Sequence, residues 1–292
     1  MAAVDTQQQP LIFVAPDRPG VYGLAFAEIT LEIDAAVGAR VTAFRLGAHN
    51  VLSERTADPD NYGSTFWTSP QLAWGWPPVA EIDSAPYSAR AEGAALVMTG
   101  TVSARLGLGV EKRFVARPDR RAVEIAYRIH NAGSAVARVA PWEVTRVHPR
   151  GLAFFPTGEG VYPPSNLPVV EDGGATWFAY DPARITGHPK LWADASAGWI
   201  AHVDGRALFL KTFPQVPRVE QAPGEAVVEI YAHPAHTYVE IEQQGACVEI
   251  VPGAEATWAV AWYLRRLPDD VTVAVGSQSL LAFVAAVLAG QR

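Results

Sequence analysis

The sequence is poor in cysteine, in clustered positive charge and in long apolar runs. Its 292 residues contain one cysteine, Cys247, which excludes an internal disulfide and a thiolate metal cluster. The formal net charge is −7 and the basic residues are scattered, which argues against nucleic acid as a partner. Neither a membrane-spanning run nor a secretion signal is recognisable, so we expect a cytoplasmic protein with no membrane partner.

Diagnostic catalytic motifs are also missing. The sequence has no GxSxG elbow, no phosphate-binding glycine loop and no dinucleotide fingerprint between a strand and a helix. His233 and His236 lie at a turn, and no third ligand follows at a metal-binding spacing. We therefore expect neither a metal ion nor another cofactor.

The chain does contain a succession of short segments in which apolar and polar residues alternate. Val123, Ile125, Tyr127 and Ile129 share one face of a predicted strand, within a meander over residues 85–131. Asp204–Gly205 predicts a hairpin turn, and only the segment after Ser277 has helical spacing. The pattern predicts an all-β protein, a large sandwich of antiparallel sheets with a short C-terminal helix.

The predicted domain organisation is simple. Three prolines and a polar run in residues 1–20 indicate a loosely attached N-terminal arm, and residues 21–292 show no linker and are expected to form one domain. Residues 154–198 are rich in Gly, Pro, Asp and Thr with interspersed aromatic residues, and we predict an ordered, irregular cover that could close over a site.

The most unusual stretch is residues 61–78, NYGSTFWTSPQLAWGWPP, where aromatic side chains alternate with neutral hydrogen-bonding groups. A pyranose has apolar C–H faces, which tryptophan can cover, and a rim of hydroxyls, which amides and hydroxyls can bind. The stretch therefore predicts a sugar-binding lip, and the alternative is a loop packed over the core. Its candidate binding residues are Asn61, Tyr62, Trp67, Gln71, Trp74 and Trp76.

A predicted strand over residues 140–147, APWEVTRV, carries a second group of candidates. Extended geometry places Glu143 on one face and Trp142 and Arg146 on the other. Glu143 could accept hydrogen bonds from a sugar or act as a base, and Arg146 could bind a carboxylate or a pair of hydroxyls. A buried ion pair with another strand is the open alternative.

Residues 238–242, YVEIE, place Tyr238, Glu240 and Glu242 on one face of a strand, with the carboxylates about 7 Å apart. If they are partly buried, repulsion raises the pKa of one and makes it a base usable near neutral pH. The alternative is a solvated outer face.

Lys211 lies between Phe209 and Phe213 on another predicted strand, and its side chain points either to an edge of the sheet or into a polar cavity.

The residues also resemble a known family. GARVTAFRLGAHNVL (38–52), NYGSTFWTSPQ (61–71), APWEVTRV (140–147), YVEIEQQG (238–245) and VPGAEATWAVAWYLRRLP (251–268) are similar to a bacterial family of domains with a galactose-mutarotase-like fold. The resemblance spans nearly the whole chain. It implies a β-supersandwich of the aldose 1-epimerase superfamily, with a small-molecule carbohydrate bound on a sheet.

In the aldose epimerases that this family resembles, a histidine protonates the ring oxygen and a C-terminal glutamate takes the anomeric proton. The Asn-His pair that marks the histidine is missing here. The resemblance implies Glu240 or Glu242 as the base, and Glu143 on the comparable central strand. Trp142, Arg146 and Lys211 join the residues of the lip as candidate binding residues.

Three hypotheses about function follow. The first is a carbohydrate-binding, mutarotase-like protein with aldose epimerase or related sugar-converting activity. The second is a non-catalytic module that binds a glycan or a protein on the same surface. The third is a polysaccharide lyase or hydrolase. The sequence does not predict the sugar or the oligomeric state.

Overall fold

The computed structural model describes residues 10–291. The strands of the first half of this region are Leu11–Val14 (β1), Val21–Phe26 (β2), Ile29–Asp34 (β3), Arg40–Leu46 (β4), His49–Asn50 (β5), Ser64–Ser69 (β6), Ser88–Glu92 (β7), Ala95–Thr99 (β8), Leu108–Arg117 (β9), Ala122–Asn131 (β10) and Ala137–Val147 (β11).

The strands of the second half are Leu152–Tyr162 (β12), Val170–Asp172 (β13), Ala175–Ala179 (β14), Lys190–Ala195 (β15), Trp199–Asp204 (β16), Ala207–Thr212 (β17), Val228–Ala232 (β18), Val239–Gln244 (β19), Val248–Ile250 (β20) and Glu255–Arg266 (β21). Two α-helices are described, Ala80–Asp83 (α1) and Gln278–Leu288 (α2).

The strands form two antiparallel sheets. The first sheet runs β1, β2, β3, β4, β6, β11, β19, β18, β15. The second runs β7, β8, β9, β10, β21, β17, β16, β12, β14, β13. The long strand β12 joins them, because its first residues pair with β16 and its last residues with β15.

The main core lies between the two sheets and is held by large aromatic side chains. Phe44 of the first sheet packs against Phe209 and Trp262 of the second, with ring centres 5.4 and 5.5 Å apart. A smaller core lies on the outer face of the second sheet, which α2 covers with Leu280, Phe283, Val284 and Val287. Ser277 caps this helix by accepting a hydrogen bond from the Leu280 amide.

The predicted fold class is confirmed. The chain is nearly all antiparallel β, the meander and the Asp204–Gly205 hairpin form as predicted, and one short helix ends the described region. The alternation in β10 is the reason the prediction succeeded there, since Val123, Ile125, Tyr127 and Ile129 are all buried. Among residues 10–291, no helix has the length and apolarity needed to cross a membrane.

The prediction that residues 154–198 are irregular was wrong, because about half of this segment forms strands. It holds most of β12 together with β13, β14 and β15. The glycines that indicated an irregular cover are used for turns and a bulge. Gly173 and Gly174 turn the chain with φ values of 61° and 82°, and the register of β12 shifts between Thr157 and Val161, where Gly158 and Gly160 lie.

The predicted N-terminal arm is partly a strand. Leu11–Val14 pairs with β2 along its whole length, and thus this part of the arm belongs to the first sheet. Residues 1–9 of the predicted arm lie outside the described region. That residues 21–292 fold as one domain stays a prediction.

Candidate functional site

Five neighbouring strands of the first sheet, β6, β11, β19, β18 and β15, form the floor of a cavity of about 350 Å³. Alternate residues of these strands point away from the second sheet and into the cavity. The cavity is lined by Asn61, Trp67, Gln71, Trp76, Trp142, His188, Lys190, Tyr231, His233, Tyr238, Glu240 and Glu242. We call it the central cavity.

Three tryptophans form the aromatic wall of the central cavity. Trp67 on β6 is paired in register with Trp142 on β11, and their rings meet edge to face with centres 5.2 Å apart. Trp76 meets Trp67 with centres 6.2 Å apart and is 64% exposed. Large, rigid aromatic faces of this kind suit the C–H faces of a sugar ring.

Trp67 is held in place from behind by Asp83, at the end of α1. The Asp83 carboxylate accepts hydrogen bonds from Trp67 Nε1 at 2.7 Å and from Thr65 Oγ1 at 2.8 Å. Its other oxygen lies 3.2 Å from the Arg40 guanidinium. Because these groups are buried, the ring of Trp67 has a fixed orientation.

Paired charges occupy the floor. Arg146 Nε lies 2.9 Å from Glu240 Oε1, and Trp142 Nε1 donates to Glu242 at 2.8 Å. Lys190 Nζ bridges two carboxylates, at 2.5 Å from Glu229 and 3.3 Å from Glu242. Tyr231 stands opposite Glu240 in the register of β18 and β19. Tyr238, Glu240 and Glu242 therefore share one face of β19, as predicted. That face is buried, so the alternative of a solvated outer face is wrong.

Burial changes the acidity of these groups. It raises the pKa of Glu240 to about 7, with a contribution from the charge of Glu242 and opposition from Arg146. Burial likewise raises the pKa of Glu229 to about 8, although Lys190 opposes the change. Burial alone would lower the pKa of Lys190, but Glu242 and Glu229 raise it above its ordinary range. Glu240 is therefore a base that can take up and release a proton near neutral pH.

These raised values predict how stability depends on pH. The folded state keeps protons on Glu240 and Glu229 at pH values where free carboxyls, with an ordinary pKa of 4.5, have lost them. The contribution of the two groups to stability is therefore lost as pH rises from about 4.5 to about 8. Glu229→Gln should make the fall in melting temperature between pH 5.5 and 8.5 smaller. An unchanged fall in that variant would contradict the assignment.

A rim of rings closes one side of the central cavity. His233 stacks on Tyr238 with centres 4.8 Å apart, and Tyr231 lies 6.3 Å from each of them. His188 Nδ1 is 2.7 Å from the Tyr231 hydroxyl. These four side chains come from the loop before β15 and from the β18–β19 hairpin, two segments that pairing of β15 with β18 brings together.

The hydrogen bonds of His233 define its tautomer. The Ala235 backbone N–H donates to His233 Nδ1 at 3.3 Å, and Thr237 Oγ1 lies 2.9 Å from the same nitrogen. A nitrogen that accepts from a backbone amide carries no proton, so the proton of the neutral ring sits on Nε2. Burial lowers the pKa of His233. The ring is thus a neutral donor through Nε2 at physiological pH.

Glu143 and Lys211 do not line the central cavity. They point to the opposite face and form an ion pair between the sheets, with Lys211 Nζ 2.8 Å from Glu143 Oε1. Glu143 also accepts hydrogen bonds from Trp262 at 3.0 Å, from Tyr127 at 2.5 Å and from Gln243. The surroundings of Glu143 thus match the alternative of a buried ion pair with another strand. The side chains that contact it lie between the two sheets and outside the central cavity.

Two aromatic candidates from the lip also lie elsewhere. Trp74 is buried in the core, and its Nε1 donates to the Thr68 carbonyl at 2.6 Å. Tyr62 is buried under the Arg40 guanidinium, which lies 4.7 Å from the centre of the Tyr62 ring.

Arg146 lies behind the wall of the cavity, where it contacts Glu240 and the rings of Trp67 and Tyr238. The remaining candidates line the cavity, and their roles stay predictions.

Five lining residues were not among the predicted site residues, namely Tyr238, His188, Lys190, Tyr231 and His233. The sequence contains a signal for the last two, because they belong to the strand and turn that immediately precede the YVEIE strand in an antiparallel hairpin. His188 and Lys190 follow a glycine- and proline-rich loop, and nothing local connects them to a strand 40 residues away.

A larger cavity, of about 450 Å³, lies on the outer face of the second sheet. Its arginines are already paired in surface ion pairs, Arg113 with Glu92 and Arg117 and Arg120 with Glu124. None of its described lining residues is a buried titratable group, whereas the central cavity has several. Within residues 10–291, no three His, Cys, Asp or Glu side chains are grouped in a way that could hold a metal ion.

Solved structures share this fold. The Slr1438 protein of Synechocystis sp. PCC 6803 has a TM-score of 0.58 at 14% identity, covering 88% of this chain and 99% of its own. A galactose mutarotase-like protein from Lactobacillus casei has a TM-score of 0.58 at 11% identity, covering 84% and 100%. Galactose 1-epimerase from Lactobacillus acidophilus has a TM-score of 0.54 at 8% identity, covering 89% and 99%.

The predicted resemblance to galactose-mutarotase-like proteins is thereby confirmed at the level of the fold. A search of curated proteins finds none that matches the sequence. Residues 67–265, more than half of the chain, match one protein family, and they contain most of the central cavity's floor. The chain therefore belongs to the family described as Domain of unknown function (DUF4380).

Proposed function

We propose that the central cavity binds a neutral aldose and that Glu240 and His233 interconvert its anomers. The observation that carries the proposal is the meeting, in one cavity, of a tryptophan wall, a carboxyl group with a pKa of about 7 and a neutral histidine that donates through Nε2. Fold similarity to a galactose 1-epimerase supports a sugar as the ligand.

The proposed reaction needs one base and one hydrogen-bond donor. The Glu240 carboxylate takes the proton of the anomeric hydroxyl while the bond between C1 and the ring oxygen breaks, and His233 Nε2–H donates a hydrogen bond that stabilises the negative charge on the ring oxygen. The open-chain aldehyde then rotates about the C1–C2 bond, the ring oxygen attacks C1 again, and Glu240 returns its proton to the new anomeric oxygen. Each group ends in the state in which it began, so no co-reactant is consumed.

The charges around the central cavity favour a neutral sugar over an anionic one. Four carboxyl groups, Glu225, Glu229, Glu240 and Glu242, are grouped around two cations, and both cations are held by carboxylates. A phosphate or carboxylate on the sugar would meet no free positive charge among the described lining residues. Placing it there would leave a charge without a partner.

The direct test follows the anomers by NMR. Neutral aldoses (glucose, galactose, mannose, xylose) and the 6-phosphates of the hexoses are dissolved as single anomers, and equilibration is measured with and without protein. We expect acceleration for at least one neutral aldose and none for its 6-phosphate. Acceleration of the phosphates alone would contradict the charge assignment, and no acceleration for any sugar would contradict the enzyme proposal.

A second candidate is a non-catalytic sugar-binding module. It is favoured by the fact that Glu240 and Glu242 are already engaged, the first with Arg146 and the second with Trp142 and Lys190. Carboxylates held in this way can shape a binding site without moving protons. Saturable binding of an aldose without acceleration of its anomer exchange would favour this module over the enzyme.

A further inference from the structure

A second cavity, of about 280 Å³, lies next to the central cavity. We call it the side cavity. Its polar and aromatic lining comes from the end of β12, from β15 and from the segment before β18. These lining residues are Tyr162, Trp192, Arg218, Gln221 and Glu225, together with Pro163, Pro164, Ala222, Pro223 and Gly224.

The two cavities share a wall. Lys190 and Trp192 are two residues apart on β15 and hence on the same face, the first lining the central cavity and the second the side cavity. Lys190 Nζ lies 5.5 Å from the Trp192 ring centre and 5.3 Å from that of Trp142. On the other side, the backbone N–H of Gln71 in the central cavity donates to Glu225 in the side cavity at 2.8 Å.

The side cavity has the chemistry that a sugar unit needs. Trp192 is half-buried and presents an aromatic surface, and the Arg218 guanidinium covers the Tyr162 ring at 4.0 Å from its centre. The Tyr162 hydroxyl lies beside the Gln221 side chain, although in the described part of the chain neither the hydroxyl nor the Gln221 amide nitrogen makes a hydrogen bond of good geometry. A polar pair of this kind can exchange its weak mutual contact for sugar hydroxyls, which both donate and accept.

We propose that the side cavity is a second sugar subsite and that the ligand is a neutral reducing oligosaccharide. This inference rests on the proposed function. The reducing-end unit occupies the central cavity, because interconversion needs a free anomeric hydroxyl beside Glu240. The next unit is attached through another hydroxyl and crosses the wall formed by Gln71, Glu225 and Lys190. It binds between Trp192 and the Arg218–Tyr162 pair.

The experiment compares single sugars with their disaccharides by calorimetric titration. The pairs are glucose with maltose and cellobiose, galactose with β-1,4-galactobiose, and xylose with xylobiose. We expect at least one disaccharide to bind the wild-type protein about tenfold more tightly than its monosaccharide, which corresponds to about 1.4 kcal/mol. In Arg218→Ala, an exposed position, that gain should be largely lost while monosaccharide affinity is unchanged.

Arg184→Ala, an exposed arginine outside both cavities, is the matched control and should keep the gain. The inference is overturned if no disaccharide binds more tightly than its monosaccharide, or if Arg218→Ala weakens both equally. Failure of the proposed function has a different pattern, in which neither monosaccharides nor disaccharides bind. That pattern would overturn both proposals.

Discussion

Replacing Glu240 by glutamine is expected to lower kcat for anomer interconversion by about 10²–10⁴-fold, the usual contribution of a general base. Glutamine keeps the size of the side chain and an oxygen for Arg146, but it cannot take up the anomeric proton. KM should change much less than kcat, because the hydrogen bonds that position the sugar are retained. The measurement is the NMR rate of anomer exchange at saturating sugar.

Glu249→Gln is the matched control for Glu240→Gln. Glu249 is exposed on β20, where it is paired in register with Arg138 and lies outside the central cavity. Its replacement should leave kcat and KM unchanged. A folded Glu240→Gln protein, with a melting temperature close to that of the wild type and an unchanged kcat, would remove Glu240 from the proposed mechanism.

Replacing Lys211 by methionine is expected to lower the free energy of unfolding by about 3–5 kcal/mol, because it leaves the Glu143 carboxylate buried without its cation. Both side chains are fully buried between the sheets. Burial lowers the pKa of Lys211, and the adjacent Glu143 opposes that change. Denaturant unfolding of the wild type and of Lys211→Met measures the difference.

The double variant Glu143→Gln, Lys211→Met provides the internal control. It removes both charges and keeps hydrogen-bonding groups for Tyr127, Trp262 and Gln243, and it should be more stable than Lys211→Met alone. A loss below about 1 kcal/mol in the single variant would contradict the role of this pair as a link between the sheets.

The fold was predictable because its strands carry a local signal. Val123 to Ile129 alternate between core and surface, and Asp204–Gly205 permits little besides a tight hairpin turn. The pattern fails where glycines occupy turns and a bulge, as in residues 154–198. Composition there is typical of a loop, yet β12, β14 and β15 form because neighbouring strands pair with them.

The candidate site was only partly predictable. The sequence places Trp142 and Arg146 on one face and Glu143 on the other, but it does not say which face meets the second sheet. That choice depends on Lys211 and Trp262, which come from distant strands and contact Glu143. Likewise, Trp74 is buried in the core, where its Nε1 donates a hydrogen bond to the Thr68 carbonyl. The aromatic composition of residues 61–78 does not predict which of its tryptophans are buried in this way.

The central claim, that the central cavity binds a sugar on its tryptophan wall, is tested most directly by calorimetric titration of wild type, Trp76→Ala and Leu72→Ala with the neutral aldoses. Trp76 lines the cavity and is exposed, and Leu72 in the same segment is 92% exposed and lies outside it. Both variants should therefore fold. We expect saturable binding of at least one aldose to wild type and Leu72→Ala, weakened at least about tenfold in Trp76→Ala. Equal affinity in all three proteins, or no binding of any aldose to the wild type, would contradict the claim.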